Sequence, residues 1–134
     1  LAAIDSVHEG GDCDLTVTHS EGWGLGAFDA LQFGNRVIMP GFGGQLDYLG
    51  DDYPLLVKHH MEAVGVSAQD GYFRGMETQR WARACRRHAG ELLTQVYSDP
   101  PRAAELGREM QTNIARRYSP HRVGPELARA LGLA

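Results

Sequence analysis

Two glycine-rich turns within residues 14–48 constrain the fold more than any other feature of this 134-residue chain. The stretch reads DLTVTHSEGWGLGAFDALQFGNRVIMPGFGGQLDY, in which short apolar or β-branched runs alternate with glycine clusters and helix-like segments. This alternation predicts strand, turn and helix in succession, the repeating unit of a parallel α/β sheet. Because the carboxyl ends of parallel strands lie at one edge of the sheet, where such folds bind ligands, both turns are expected at a candidate site.

The spacing of apolar residues predicts three short strands followed by a long helical tail. The strands are expected at residues 15–18, 36–39 and 55–58, and an irregular connection at residues 65–75. Gly34 and Ser119 are expected to cap helices. The predicted helices are at residues 1–7, 27–33, 45–49, 77–97, 102–118 and 121–133. The predicted fold is therefore an α/β domain whose short parallel sheet lacks neighbours at one edge, typical of the carboxyl-terminal portion of a larger domain.

Length and charge limit the classes of function. A chain of 134 residues with 43% hydrophobic and 22% charged residues suits one soluble globular domain. Residues 1–67 hold ten acids and two bases, whereas residues 68–134 hold seven acids and eleven arginines. An acidic half does not suit a nucleic-acid binder, because such proteins gain most of their affinity by neutralising phosphates.

The start of the sequence and its cysteines predict where the protein is located and whether the chain is a fragment. No apolar run approaches the length of a membrane span, and no leader sequence opens the chain. The start at Leu1, within a predicted helix, indicates a fragment. Cys13 and Cys85 are too few for a disulfide framework, and reduced thiols indicate a cytoplasmic protein.

The first turn, at residues 20–30, is a candidate anion site. Its glycines precede a predicted helix, whose first N–H groups lack acceptors within the helix and carry partial positive charge. Phosphate is the expected ligand, and Glu21 is expected at the mouth of the crevice. Asp29, predicted in the first turn of the helix, would be an ionised acceptor suited to a ribose diol. The alternative is a structural turn in which Asp29 serves only its own helix.

These residues also carry a family resemblance. Seven residues separate Glu21 from Asp29, and EGWGLGAFDALQFGNRVI resembles the EGFGLPxxEAMAxGxPVI signature of glycosyltransferases. The chain is similar to the GT-B retaining glycosyltransferases of the GT4-like group, which carry an E-x7-E motif. GGQLDYL resembles the Gly-Gly-x-x-Glu segment that follows in that family, and WARACRRHAGELLTQVYSDPPRAAELGREM…RRYSP resembles its final helices. The resemblance covers about residues 13–132.

The resemblance implies part of a C-terminal donor-binding domain, Rossmann-like and three-layered, forming a single partial domain over residues 1–134. Such enzymes transfer a sugar, as hexosyltransferases do, from a nucleotide diphosphate sugar to a glycan, lipid or other acceptor. They retain the anomeric configuration, and no metal or other cofactor is expected. The implied partners are the nucleotide sugar and an N-terminal acceptor domain of the same polypeptide. A bacterial enzyme, cytoplasmic or peripheral to the inner membrane, is expected.

The resemblance also assigns roles to residues. Glu21 matches the catalytic glutamate beside the donor sugar, and Asp29 matches the glutamate that holds the ribose hydroxyls. Backbone amides of the intervening loop would face the sugar and the diphosphate, and further contacts are expected beside it. The loop residues are Gly22, Trp23, Gly24, Leu25 and Gly26, and the further candidates are His19, Ser20, Gly43 and Gly44.

Departures from the family pattern keep an alternative open. Asp29 is one methylene shorter than the family's glutamate, Gly26 replaces Pro, Thr or Ser, and His19-Ser20 replaces a Pro-Ser pair. No stretch matches the family's first strand or the basic pair that grips the diphosphate, so this chain alone is expected not to catalyse. The alternative is a non-catalytic module that binds nucleotide sugars or proteins. A dinucleotide-dependent oxidoreductase fits poorly. The glycines at 22, 24 and 26 do not have the spacing of its fingerprint, and no strand that ends in an acidic residue follows about 20 residues later.

Four further features have a structural and a functional interpretation. His19 would be a sugar contact or a strand-end histidine with a structural hydrogen bond. His59-His60 would be metal ligands, although no third ligand lies nearby in sequence. A predicted arginine face would meet anionic lipid or remain solvated. An apolar stripe on the last helix, like the open sheet edge, would support self-association. The arginines are Arg80, Arg83 and Arg87, and the stripe is Val123, Leu127 and Leu131.

Overall fold

A computed structural model describes residues 2–64, 75–76 and 78–133. Within these ranges, three parallel strands form a sheet in the order β1-β2-β3. Strand β1 is Cys13–Leu15, β2 is Arg36–Pro40 and β3 is Leu56–Val57. Leu15 pairs with Ile38, and Met39 pairs with Leu56. The predicted parallel sheet is confirmed, although its first strand begins two residues earlier than predicted and ends at Leu15.

Helices connect these strands and follow them in sequence. A separate, antiparallel pair of strands lies between the third parallel strand and the last three helices. The predicted irregular connection at 65–75 lies outside the described residues apart from Gly75. The helices are α1 (Ala2–Gly10), α2 (Leu25–Gln32), α3 (Leu46–Leu49), α4 (Arg86–Ser98), α5 (Pro100–Arg117) and α6 (Pro120–Ala130). The additional strands are β4 (His59–Ala63) and β5 (Arg80–Ala84).

Strand β2 forms the centre of the hydrophobic core. Val37, Ile38 and Met39 are each 0% exposed. Because successive side chains of a strand point to opposite faces, both faces of β2 are covered. Helices α2, α4 and α5 all contact β2 and contribute buried side chains such as Leu31 and Ile114. The prediction that residues 36–39 form a strand buried on both faces is confirmed.

The predicted helix at residues 77–97 is wrong in its first half. Strand β5 pairs antiparallel with β4, so that Glu62 lies opposite Trp81 and His60 lies opposite Arg83. Ala82 is fully buried between less buried neighbours, which is the alternation of a strand. Arginine and alanine favour helix locally, but pairing with a strand remote in sequence overrides that propensity. The helix itself, α4, begins only at Arg86.

The predicted helix ends are largely confirmed. Gly34 follows α2 with a φ of 80°, the left-handed conformation of a C-terminal glycine. Asp99 caps α5 by accepting a hydrogen bond from the Arg102 N–H at 3.1 Å, with Pro100 in the first turn. Ser119 occupies the N-cap position of α6, although its side chain forms no capping bond within the described part of the chain.

Candidate functional site

A crevice of about 250 Å³ lies at the carboxyl end of β1, beside the start of α2. We call it the β1 crevice. It combines two carboxylates, one hydroxyl and the first backbone groups of a helix. Its lining residues are Asp14, Thr16, Glu21, Gly24, Leu25, Gly26 and Ala27. The structure therefore brings together Glu21 and the glycine loop, as the sequence predicts.

Gly24 shapes the entry to α2. It occupies the N-cap position with φ 78° and ψ 57°, a left-handed conformation that side chains disfavour. A Cβ atom there would lie 3.1 Å from the Tyr48 hydroxyl and 3.3 Å from the Met39 methyl carbon. The Tyr48 hydroxyl donates a hydrogen bond to the Gly24 carbonyl at 3.3 Å. Glycine is required here for both conformation and space.

The N-terminus of α2 supplies hydrogen-bond donors to the crevice. The first intrahelical bond runs from the Phe28 N–H to the Gly24 carbonyl, at 2.9 Å. The N–H groups of Leu25, Gly26 and Ala27 precede this bond, so they have no acceptor within the helix. The helix dipole adds partial positive charge at the same place. These groups can donate hydrogen bonds to the oxygen atoms of a ligand.

Two carboxylates, Asp14 and Glu21, face these donors across the crevice. Sequence reasoning missed Asp14, although an acid within an otherwise apolar strand was a usable signal. Burial raises the pKa of the Asp14 carboxyl, and nearby His8 partly opposes this. Burial is the largest cause of the raised pKa of Tyr48, and the negative charges of Asp14 and Glu21 also contribute to the rise. Ionised carboxylates only accept hydrogen bonds, so the pair suits a ligand with several hydroxyl groups.

Asp29 lies elsewhere than predicted. Helix α2 begins at Leu25, two residues before the predicted start, so Asp29 falls in the second turn and not the first. Its Oδ1 atom accepts a hydrogen bond from Gln32 Nε2 at 3.1 Å. The described residues that line the β1 crevice do not include Asp29. The predicted dipole contact in the first turn is therefore wrong, whereas a ribose contact by Asp29 stays a prediction.

The Trp23 side chain packs away from the crevice into an aromatic cluster. Its ring centroid lies 5.7 Å from Phe28, 5.2 Å from Tyr48 and 5.6 Å from Tyr118. The cluster ties the first glycine turn to α2, α3 and the end of α5. Trp23 therefore positions the loop through its side chain, and it is not among the described residues that line the β1 crevice.

The second glycine turn supports the first through direct backbone contact. The Gly44 N–H donates a hydrogen bond to the Glu21 carbonyl at 3.4 Å. A Cβ atom on Gly44 would lie 1.8 Å from the Gly22 carbonyl oxygen, and Gly43 has a φ of 107°. Both glycines are thus required by the packing of one turn against the other. The structure places Gly43 and Gly44 behind the loop, while the lining of the β1 crevice comes from other described residues.

His19 joins the first turn to β5. Its carbonyl accepts a hydrogen bond from the Ala82 N–H at 3.0 Å, and its ring lies 4.4 Å from the Trp81 ring. His19 Nε2 also lies 3.8 Å from a carboxylate oxygen of Glu62. These contacts match the structural interpretation of His19. Ser20, the next residue, is exposed.

The predicted arginine face is wrong, because Arg80 and Arg83 belong to β5 and only Arg87 belongs to a helix. His59 packs against Phe42, with ring centroids 5.7 Å apart. Across the ranges that the structure covers, no group of three His, Cys, Asp or Glu side chains is arranged to hold a metal ion.

The predicted apolar stripe on the last helix is exposed. Val123 is 40% exposed and Leu127 is 56% exposed. Self-association through this stripe stays a prediction. None of the helices in the described segments is both long enough and apolar enough to cross a bilayer.

Comparison of the chain with protein-family models, with curated proteins and with solved structures finds no match.

Proposed function

We propose that this chain is the donor-binding portion of a retaining glycosyltransferase of the GT-B type, and that the β1 crevice holds the sugar of a nucleotide diphosphate sugar. One observation carries the proposal. Two carboxylates, of Glu21 and Asp14, line a single crevice at the carboxyl end of a parallel strand, together with the first residues of α2, whose N–H groups have no acceptor within the helix. Crevices at such strand ends are the usual ligand sites of α/β folds.

The chemistry of the crevice fits a sugar attached to a diphosphate. Carboxylates at Glu21 and Asp14 accept hydrogen bonds from sugar hydroxyls. The N–H groups at the start of α2 donate to phosphate or sugar oxygens, and their dipole stabilises negative charge on a departing diphosphate. Charge stabilisation of this kind comes from fixed backbone groups, so the proposed reaction needs no cation at this point.

The size of the crevice limits what it can hold. Its volume of about 250 Å³ lies below the range of pockets that enclose drug-sized ligands, roughly 300–1,000 Å³. A single sugar ring with one phosphate is a closer match than a whole nucleotide sugar. The proposal therefore assigns the nucleoside and the acceptor to surfaces beyond the crevice, including a second domain of the parent enzyme.

Calorimetric titration of the 134-residue chain with UDP-, GDP- and ADP-sugars tests the proposal. We expect one of these donors to bind, and Glu21→Gln to weaken its affinity about tenfold, the loss expected for hydrogen bonds to one charged group. Glu126→Gln, an exposed change on α6, is the matched control and should leave affinity unchanged. Equal binding by wild type and Glu21→Gln would remove Glu21 from the site, and absence of binding by every donor would contradict the proposal.

The position of Asp29 favours a second candidate, a non-catalytic nucleotide-sugar-binding or protein-interaction module of the same fold. The Asp29 carboxylate accepts a hydrogen bond from Gln32 of the same helix, as expected if Asp29 serves only that helix and not a ribose. Asp29→Asn separates the candidates. A loss of donor affinity supports a ribose contact by Asp29, as in the transferases, and unchanged affinity supports a module in which Asp29 serves only its own helix.

A further inference from the structure

A second cavity, of about 280 Å³, lies on the other side of the segment that follows β1. We call it the basic cavity. Thr16 and Glu21 line the β1 crevice, whereas Val17 and His19 line the basic cavity. The remaining walls come from the junction of β5 and α4. They are Arg83, Ala84 and Arg86.

The charge of the basic cavity is opposite to that of the β1 crevice. Two arginines and one histidine line it, and no acidic side chain belongs to its described lining. Glu62 pairs with Arg83 at 3.3 Å and lies 3.8 Å from His19 Nε2, so one carboxylate lies next to both side chains. Arginine has five N–H donors, and the hydrogen bonds from Arg83 to Glu62 come from Nη1. Among the described residues, no other side chain forms a hydrogen bond with this guanidinium group, so its remaining donors can bind a ligand.

Arg86 differs from Arg83 because no carboxylate among the described residues pairs with it. Among the side chains that the structure describes, no carboxylate lies within 4.0 Å of its guanidinium group, whereas the adjacent Arg87 pairs with Glu91 at 2.5 Å. Arg86 is also the first residue of α4. A cation is unfavourable there, because the helix N-terminus already carries partial positive charge. Departures from such local charge preferences often occur at functional sites.

An oxyanion in the basic cavity would relieve this unfavourable arrangement. The first intrahelical bond of α4 runs from the Ala89 N–H to the Cys85 carbonyl at 3.0 Å, so the preceding N–H groups have no acceptor within the helix. Arginine side chains bind phosphate through paired, charge-assisted hydrogen bonds. The cavity is also too small for a whole nucleotide but large enough for one or two phosphoryl groups.

We infer that the basic cavity is a binding site for a phosphoryl group, held by Arg83 and Arg86 with His19 beside them. The site is distinct from the β1 crevice and does not depend on the function proposed for that crevice. Its ligand is the phosphate or diphosphate of a small soluble molecule or of a lipid headgroup. The role of Glu62 is to position Arg83 and His19.

The test is a titration of the 134-residue chain with inorganic phosphate and with pyrophosphate, followed by amide chemical shifts at constant ionic strength. We expect saturable shifts of the Arg86, Arg87 and His88 amides at concentrations up to about 10 mM. Arg86→Gln should weaken binding about tenfold, as expected for a charge-assisted hydrogen bond. Arg87→Gln is the matched control, since it removes the same charge from the next residue and should change binding less than about twofold.

Further arms identify the source of the ligand and separate this site from the β1 crevice. Sedimentation with phosphatidic acid vesicles, compared with phosphatidylcholine vesicles, tests the lipid headgroup. Glu21→Gln should leave the phosphate-induced shifts of the Arg86, Arg87 and His88 amides unchanged, so a chain that binds no nucleotide sugar can still confirm this site. Absence of saturable shifts with both phosphate probes and absence of binding to the acidic vesicles would overturn the inference. An equal loss in Arg86→Gln and Arg87→Gln would also overturn it, because it would indicate diffuse charge attraction.

Discussion

Gly44→Ala tests whether contact between the two glycine turns holds Glu21 in place. The added Cβ would lie 1.8 Å from the Gly22 carbonyl oxygen and 2.9 Å from the Gly22 carbonyl carbon. To restore an ordinary contact of 3.4 Å, that oxygen must retreat by about 1.6 Å. Both neighbouring atoms belong to the backbone, so no side chain can rotate out of the way. The turn that carries Glu21 has to move.

The expected destabilisation combines overpacking with a weakened hydrogen bond. Overpacking costs about 1–3 kcal/mol, and the bond from the Gly44 N–H to the Glu21 carbonyl contributes about 1 kcal/mol. We therefore expect Gly44→Ala to lower the free energy of unfolding by about 2–4 kcal/mol, a large part of the ~5–15 kcal/mol of an ordinary domain. Urea unfolding measures this as a lower midpoint at unchanged slope.

Gly22→Ala, in the facing turn, is the matched control. Its added Cβ would meet no atom within 4 Å, and Gly22 has no positive φ that would strain an alanine. We expect a change within about 0.5 kcal/mol, because the substitution adds no clash. If Gly44→Ala were as stable as Gly22→Ala, the two turns would not be in the contact described, and their support of Glu21 would be refuted.

Two further substitutions and one alkylation measurement test the core, the crevice and a half-buried thiol. Leu31→Ala removes a side chain that is 0% exposed and should cost about 2–5 kcal/mol in urea unfolding; a loss below about 1 kcal/mol would contradict its burial. Burial raises the pKa of Asp14 above its ordinary value of 3.8, so its protonated form stabilises the fold at low pH, and this stability is lost as the pH rises through the folded-state pKa. Asp14→Asn should therefore be more stable than wild type at neutral pH, with the difference vanishing in acid; a difference that is constant with pH would disprove this. Burial also raises the pKa of Cys13 from 9.0 to about 11, so in a Cys85→Ser variant its alkylation rate should keep rising about tenfold per pH unit past pH 9, whereas a plateau there would show an ordinary thiol.

The parallel part of the fold was predictable because its signals are local. Residues 37–39 form a continuous apolar run, and Gly34 closes the preceding helix in the conformation that glycine permits. The pairing of β4 with β5 was not predictable in this way. Trp81 and Glu62 meet across the pair at 3.0 Å, but 18 residues separate them in sequence and neither segment alone excludes a helix.

In the candidate site too, local sequence signals predict some features and not others. Glu21 and the glycine loop are contiguous in sequence, so their meeting at one crevice was predicted. Asp14 was missed because its contribution depends on how β1 ends, and a strand boundary is the least certain part of a sequence-based assignment. The position of Asp29 was wrong for a related reason, since an earlier start of α2 moves it by two residues along the helix.

The most direct test of the central claim is a titration of the 15N-labelled chain with the donor that calorimetry selects, followed residue by residue. We predict saturable shifts of the Leu25, Gly26 and Ala27 amides with one dissociation constant, and an increase of that constant by about tenfold in Glu21→Gln. Shifts confined to other parts of the chain, or shifts at these amides that saturate with the wild-type dissociation constant in Glu21→Gln, would contradict a donor-sugar site in the β1 crevice.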